Sequence, residues 1–412
     1  MRKEFNLTQV ERSEKPGVGL RLVRELKQAV VIFIAILLMG CSSDANTSQT
    51  ASVNQGNLRF EKNCLIVSAM LKDSTLIEFI LDSGCANGYA IIDSVTLERT
   101  SKLQTQPDTS NQISLQIDGR NLSYRYFINQ HTRPLIGLNC KDSLRRWAVN
   151  ISQNRLDIIP DDTLLNMNRY CAIPIRVKYG YLPIAELPIT FYKNGRVYSF
   201  KRSFLVDTGT PMAFCITDPD SELMAFVNSI PHCEYDDALT EMFNSQGCAR
   251  EHIKFILDSV AVQSFVVRRA SCDIDIGVRS TRKEFGDDVI GTIGMGILKN
   301  FDIVFDYRDS QLLIAPHGIE MPYYEQAEGG LGFVYSRNLR VTFVQLGHNA
   351  HKSGLLPGDE IVMINNIPHD RLLESGVMDS LRMLPDNTQI HLKIKRREEI
   401  LDINYLTFSA LR

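Results

Sequence analysis

The feature that most constrains this chain is a phrase it contains twice. Phe79-Ile80-Leu81-Asp82-Ser83-Gly84 is matched by Phe204-Leu205-Val206-Asp207-Thr208-Gly209. Each copy is a run of strand-forming apolar residues broken by Asp, a hydroxyl residue and Gly. The run reads as a buried strand and the Gly as a tight turn, so each copy sets a carboxyl at a strand's end. Two such carboxyls brought face to face share one proton, which leaves one able to act as base while the other acts as acid.

The repetition extends beyond the triplets. Upstream of each lies a hairpin pattern: Leu65 to Leu71 with Thr75 to Leu81 about Lys72-Asp73-Ser74, and Ile189 to Tyr192 with Arg196 to Val206 about Lys193-Asn194-Gly195. Asn-Gly between strand-forming runs is a strong hairpin signal. Downstream come an apolar pair, a Gly and a short helical pattern: Leu135-Ile136-Gly137-Leu138-Asn139, then Thr292-Ile293-Gly294-Met295-Gly296-Ile297-Leu298. Each half closes as strand, polar turn and strand ending in Pro, Trp147 to Pro160 and Ile303 to Pro316. Four features recurring in one order imply a structural duplication. It predicts two β-rich lobes, residues 58–160 and 161–318, with a cleft between them.

Composition narrows the chemistry. The 412 residues exceed one ordinary domain, and 44% hydrophobic content supplies sizeable cores. A formal net charge of −3 without a basic stripe excludes nucleic acid as the expected partner. No C-x-x-C pair occurs and no two His stand four apart, so no metal site is expected. Setting Cys41 aside leaves eight cysteines, whose roughly 105 possible pairings the sequence does not choose among. For those inside strand-like runs, such as Cys64, a buried free thiol is the expectation.

These residues give the two halves a resemblance to aspartic proteases of the pepsin and retropepsin type, running from Leu58 to Pro316. The resemblance implies a mainly β fold of two β-barrel lobes and an aspartic endopeptidase acting on a peptide or protein substrate. Asp82 and Asp207 would be the catalytic dyad, needing no cofactor or metal. Ser83 and Thr208 would brace the opposite lobe, and Gly84 and Gly209 would let backbone amides approach the carboxyls. With both copies in one chain, a homodimer is not required. Thr210 would hydrogen-bond the outer oxygen of Asp207, whereas Cys85 stands at the matching place after Asp82, and a thiol is a weak donor. Asp82 is therefore expected to carry the shared proton more often, and activity to fall toward alkaline pH. Tyr124 and Tyr126, on one face by strand alternation, are candidates for a flap over the cleft, with packing in a strand as the alternative.

The N-terminus reads as a targeting segment, residues 1–41. Arg21, Arg24 and Lys27 precede the apolar run Ala29 to Met39, which is short for a membrane span. Leu38-Met39-Gly40-Cys41 resembles a bacterial lipoprotein signal, which implies lipid attachment at Cys41. A polar tether, residues 42–57, would follow. The remainder would then stand on the cell envelope, in the periplasm or at the outer membrane. An uncleaved single-pass anchor is the alternative.

A third module is expected at residues 329–412, after a polar linker. Gly330-Leu331-Gly332-Phe333, followed by Pro357-Gly358-Asp359-Glu360-Ile361-Val362, resembles a PDZ domain of α+β type, with a helix around Gly376 to Leu384. The resemblance implies that Gly330 to Phe333 bind a peptide's terminal carboxylate while the peptide extends a sheet edge. The alternatives are a groove packed on the lobes and, for the whole chain, a catalytically inactive peptide-binding scaffold.

Overall fold

The computed structural model describes residues 57–61, 63–71, 74–85, 89–92, 112–128, 134–138, 146–160, 162–237, 251–276, 281–321, 331–335, 339–374, 377–382 and 384–408. Several expectations lie outside them: the signal segment with Cys41, nearly all of the tether, Gly330 and most of the linker. The fold is mainly β and contains two closed six-stranded barrels.

In the first barrel the ring runs Cys64–Met70, Leu76–Asp82, Leu135–Gly137, Tyr89–Ile92, Arg120–Ile128 and Gln112–Ile117, closing where Met70 pairs with Gln116. In the second it runs Leu182–Lys193, Arg196–Val206, Val289–Ile293, Phe214–Ile216, Phe265–Ile276 and Glu251–Val262, closing at Ile189 with Val262. Both rings contain parallel pairs at the same two places. Leu76–Asp82 lies parallel to Leu135–Gly137 and Tyr89–Ile92 to Arg120–Ile128; Arg196–Val206 lies parallel to Val289–Ile293 and Phe214–Ile216 to Phe265–Ile276. The duplication therefore extends to topology.

Period-two alternation fills the barrels. Ile113, Leu115 and Ile117 face inward on one strand, as do Leu122 and Tyr124 on its hairpin partner. Tyr124 is fully enclosed and Tyr126 packs partly buried against the same core. Alternation did set them on one face, but that face is the barrel interior, so Tyr124 is a core residue and not a flap residue. In the second barrel the rings of Phe191, Phe204, Phe214 and Phe255 meet in edge-on pairs. The helix Ser221–Asn228 packs there through Leu223, Phe226 and Val227, and Asp220 caps it by accepting from the Leu223 amide at 2.9 Å.

The closing strand pairs form one further run of sheet between the lobes. Its order is Arg155–Ile159, Arg146–Asn150, Phe301–Asp306, Gln311–Pro316 and Cys171–Lys178. The first lobe's closing strands thus pair directly with the second's, Val149 opposite Ile303. Buried ions tie the seam: Arg146 meets Asp306 at 3.0 Å, and the fully buried Asp302 accepts from the Ser152 amide at 2.9 Å, from its hydroxyl at 2.7 Å and from Arg169.

Residues beyond Leu331 build a separate hydrophobic core around Phe333, Leu355, Ile361, Leu392 and Ile394. A four-stranded sheet, Ile367–Pro368, Glu360–Ile364, Gln389–Arg396 and Glu399–Leu406, lies against it with the short helix Val377–Arg382. The hairpin Phe333–Tyr335 with Val341–Gln345 joins this unit to the second barrel. Val341–Gln345 pairs antiparallel with His232–Asp237, and the Leu346 amide donates to the Glu234 carbonyl at 2.8 Å. The acidic stretch Glu234 to Asp237 is thus a docking strand. Among the described residues, no helix is long and apolar enough to cross a membrane.

Candidate active site

Asp82 ends its strand opposite Gly137 in parallel register, and Asp207 follows its own strand with its amide donating to the Ile293 carbonyl at 2.9 Å. The apolar-apolar-Gly elements therefore lie directly beside the two Asp strands. Gly294 is tight for a stated reason: a Cβ there would stand 2.3 Å from the Thr210 carbonyl oxygen.

The two loops interlock by reciprocal bonds. The Ser83 amide donates to Thr208 Oγ1 at 2.9 Å, and that hydroxyl donates to the Leu81 carbonyl at 2.8 Å. In return, the Thr208 amide donates to Ser83 Oγ at 3.0 Å, and Ser83 Oγ donates to the Val206 carbonyl at 2.9 Å. Each buried hydroxyl thus accepts from and donates to the other lobe. The resemblance implied a bracing role for both residues, and these contacts are of that kind.

The glycines act at two places each. Gly84 donates its amide to Asp82 Oδ1 at 2.8 Å, and Gly209 does the same to Asp207 Oδ1 at 2.8 Å. Each also abuts the opposite carboxyl: a Cβ on Gly84 would lie 2.8 Å from Asp207 Cγ, and one on Gly209 would lie 2.5 Å from Asp82 Cγ. Any side chain at these positions would push into the carboxyls, so glycine permits the face-to-face approach.

Electrostatics distinguish the two acids. Burial pushes the Asp82 carboxyl well above the usual aspartate range, and the Asp207 charge and a hydrogen bond shared with Asp207 raise it further, against the Gly84 and Cys85 amides. Thr210 Oγ1 donates to Asp207 Oδ2 at 2.7 Å. Burial, rather than the weak Cys85 donor invoked from the sequence, is the first cause of the rise at Asp82.

The remaining sequence-derived residues fall as follows. Leu331 and Phe333 are buried in the third unit's core, and Gly332 adopts φ +74 against the His348 ring, where a Cβ would lie 2.0 Å from Nδ1. Among the described cysteines 64, 85, 171, 215, 233 and 272, no disulfide joins one to another. Among the described residues no cluster of His, Cys, Asp or Glu could hold a metal ion. Sequence reasoning missed Asn63 and Lys299, buried polar residues beside the Asp207 loop. Neither belongs to a motif, and only folding brings them together. No protein-family model matches the chain, and no curated protein does.

Proposed function

We propose that this chain is an aspartic endopeptidase with Asp82 and Asp207 as its dyad. One observation carries the reading: two buried carboxyls, each held by its own glycine amide and packed against the opposite loop's glycine, meet at the junction of two topologically identical barrels. Asp207, supported by Thr210, takes a proton from water as the water oxygen bonds to the peptide carbonyl carbon. Asp82 gives its proton to the carbonyl oxygen. Collapse of the resulting diol breaks the C–N bond, with a proton passing to the leaving amine. Because the pair must keep one proton, activity falls as pH rises through the elevated Asp82 range.

The third unit is proposed to be a PDZ-type module that receives a peptide end. Among the described residues, the strand Phe333–Tyr335 pairs on one side with Val341–Gln345 and lies at the end of its sheet, which supports strand addition at the other edge. The chain is further proposed to be lipid-anchored through Cys41 at a bacterial envelope. Incorporation of a labelled fatty acid by the parent, lost in Cys41→Ser, is the expected result.

The catalytic reading is tested with a diverse peptide library from pH 3 to 8, using the chain from Ser42 onward beside Asp82→Asn and Asp207→Asn. Cleavage by the parent, absent in both variants and blocked by a statine-type transition-state mimic, is the expected outcome. Cleavage unaffected by either substitution, or none at all with no statine binding, would replace this reading with that of a peptide-binding scaffold.

A further inference from the structure

We propose that Asn63, in the other lobe, and Lys299, in the lobe of Asp207 itself, are positioning residues that together fix the Asp207 loop, an inference that rests on the reading of Asp82 and Asp207 as a catalytic dyad. Asn63 lies in the turn between Leu58–Glu61 and Cys64–Met70, 3% exposed, at φ 57. Asn tolerates that left-handed conformation better than most residues. Its Nδ2 donates to the Pro211 carbonyl at 2.9 Å, across 148 residues of sequence, and Pro211 directly follows Thr210. Its Oδ1 accepts from Lys299 Nζ at 3.0 Å. An ammonium donates and cannot accept, so it settles which end of the Asn63 amide faces Pro211.

Lys299 follows the short helix Met295–Leu298, which itself follows Gly294. It is 5% exposed, with Nζ 6.0 Å from the centre of the Phe60 ring, and its carbonyl accepts from His317 Nε2 at 2.8 Å. Burial pushes its ammonium down to about 8. A methionine would fill this space without desolvating an amine, so the lysine is a costly residue for packing alone. What it secures is the hydrogen-bonded path Lys299, Asn63, Pro211. That path ends on the segment whose Thr210 orients Asp207 and whose Thr210 carbonyl accepts from the Met295 amide at 2.7 Å. The first lobe thereby holds the second lobe's carboxylate through one amide.

The test compares the full-length parent, Asn63→Asp, Lys299→Met, Thr210→Val and the double variant Asn63→Asp with Thr210→Val. Asn63→Asp keeps the left-handed turn and the acceptor for Lys299 but loses the donor to Pro211. It is expected to lower kcat about tenfold with KM little changed, and to move the acid limb of the kcat profile to higher pH, as Thr210→Val does. Lys299→Met should move it in the same direction with native thermal stability retained. The double variant should fall no further than Thr210→Val alone, because both act on one bond.

Superimposable acid limbs for parent and Asn63→Asp, or additive losses in the double variant, would overturn the proposal. The carboxyl carbon resonances of the dyad, followed against pH by NMR in parent and Asn63→Asp, give a second readout that needs no turnover. A parent that cuts nothing removes the protease reading. Dyad resonances titrating identically in both proteins remove the positioning role.

Discussion

Thr210 and Cys85 occupy matching places after the two Asp residues, yet a hydroxyl contact to the carboxyl is formed by Thr210, and burial dominates at Asp82. The consequence for stability has a definite sign. An acid whose folded pKa is raised binds its proton more tightly when folded. Stability contributed by Asp82 is therefore fully present below the unfolded aspartate value of about 3.9 and is lost as pH rises toward the elevated folded value. Asp82→Asn should melt above the parent at pH 7, by a margin that disappears below about pH 4, while cleavage is abolished. Thermal melts across pH check this. An Asp82→Asn curve at or below the parent at neutral pH would contradict the buried, raised acid. The interlock makes a second claim. Thr208→Val strands the Ser83 amide and the Leu81 carbonyl, at a cost of roughly 2–4 kcal/mol, whereas Thr208→Ser keeps both bonds. Urea midpoints for the three proteins separate the hydroxyl from its methyl group.

At the scale of elements, the parallel strand Val289–Ile293 beside the Asp207 strand is followed by a glycine with little space around it. A Cβ on Gly294 would lie 2.3 Å from the Thr210 carbonyl oxygen and 2.5 Å from that of Met212. Gly294→Ala is expected to cost about 1–3 kcal/mol as an overpacked position and to reduce cleavage more than stability, because the displaced atoms belong to the Asp207 loop. Activity and melting measured on the same preparation would show which falls further. Gly332→Ala meets both the His348 ring and the φ of +74. It should unfold the third unit selectively, seen as faster hydrogen exchange in Gln389–Arg396 with the barrel strands still protected. Uniform exchange throughout would instead mean that the units unfold together.

Across the whole molecule, sheet continuity is the organising device. The seam at Arg146–Asn150 and Phe301–Asp306 binds lobe to lobe, and His232–Asp237 with Val341–Gln345 binds the second barrel to the third unit. The dock also includes a side-chain contact, Gln345 Nε2 to Cys233 Sγ at 3.1 Å. Removing residues 323–412 would uncover the edge of His232–Asp237, and uncovered edges recruit other strands. The shortened chain is expected to self-associate and to lose exchange protection at residues 234–237, checked by light scattering and hydrogen exchange. A monomer with unchanged protection there would mean the pairing contributes nothing in solution.

Local pattern was enough to locate the two Asp-hydroxyl-Gly turns, their hairpins and the paired apolar-apolar-Gly strands. A buried strand, a tight turn and an alternating face are dictated by residues close in sequence. The strand Arg196–Val206 was legible for the same reason. Tyr124 was ambiguous because alternation says which residues share a face but not what covers it. Nothing local predicts that residues 146–159 pair with 301–316, that an acidic stretch receives Val341–Gln345, or that Asn63 reaches Pro211. Those pairings satisfy backbone and buried polar groups from distant segments, and their partners exist only once the chain has folded.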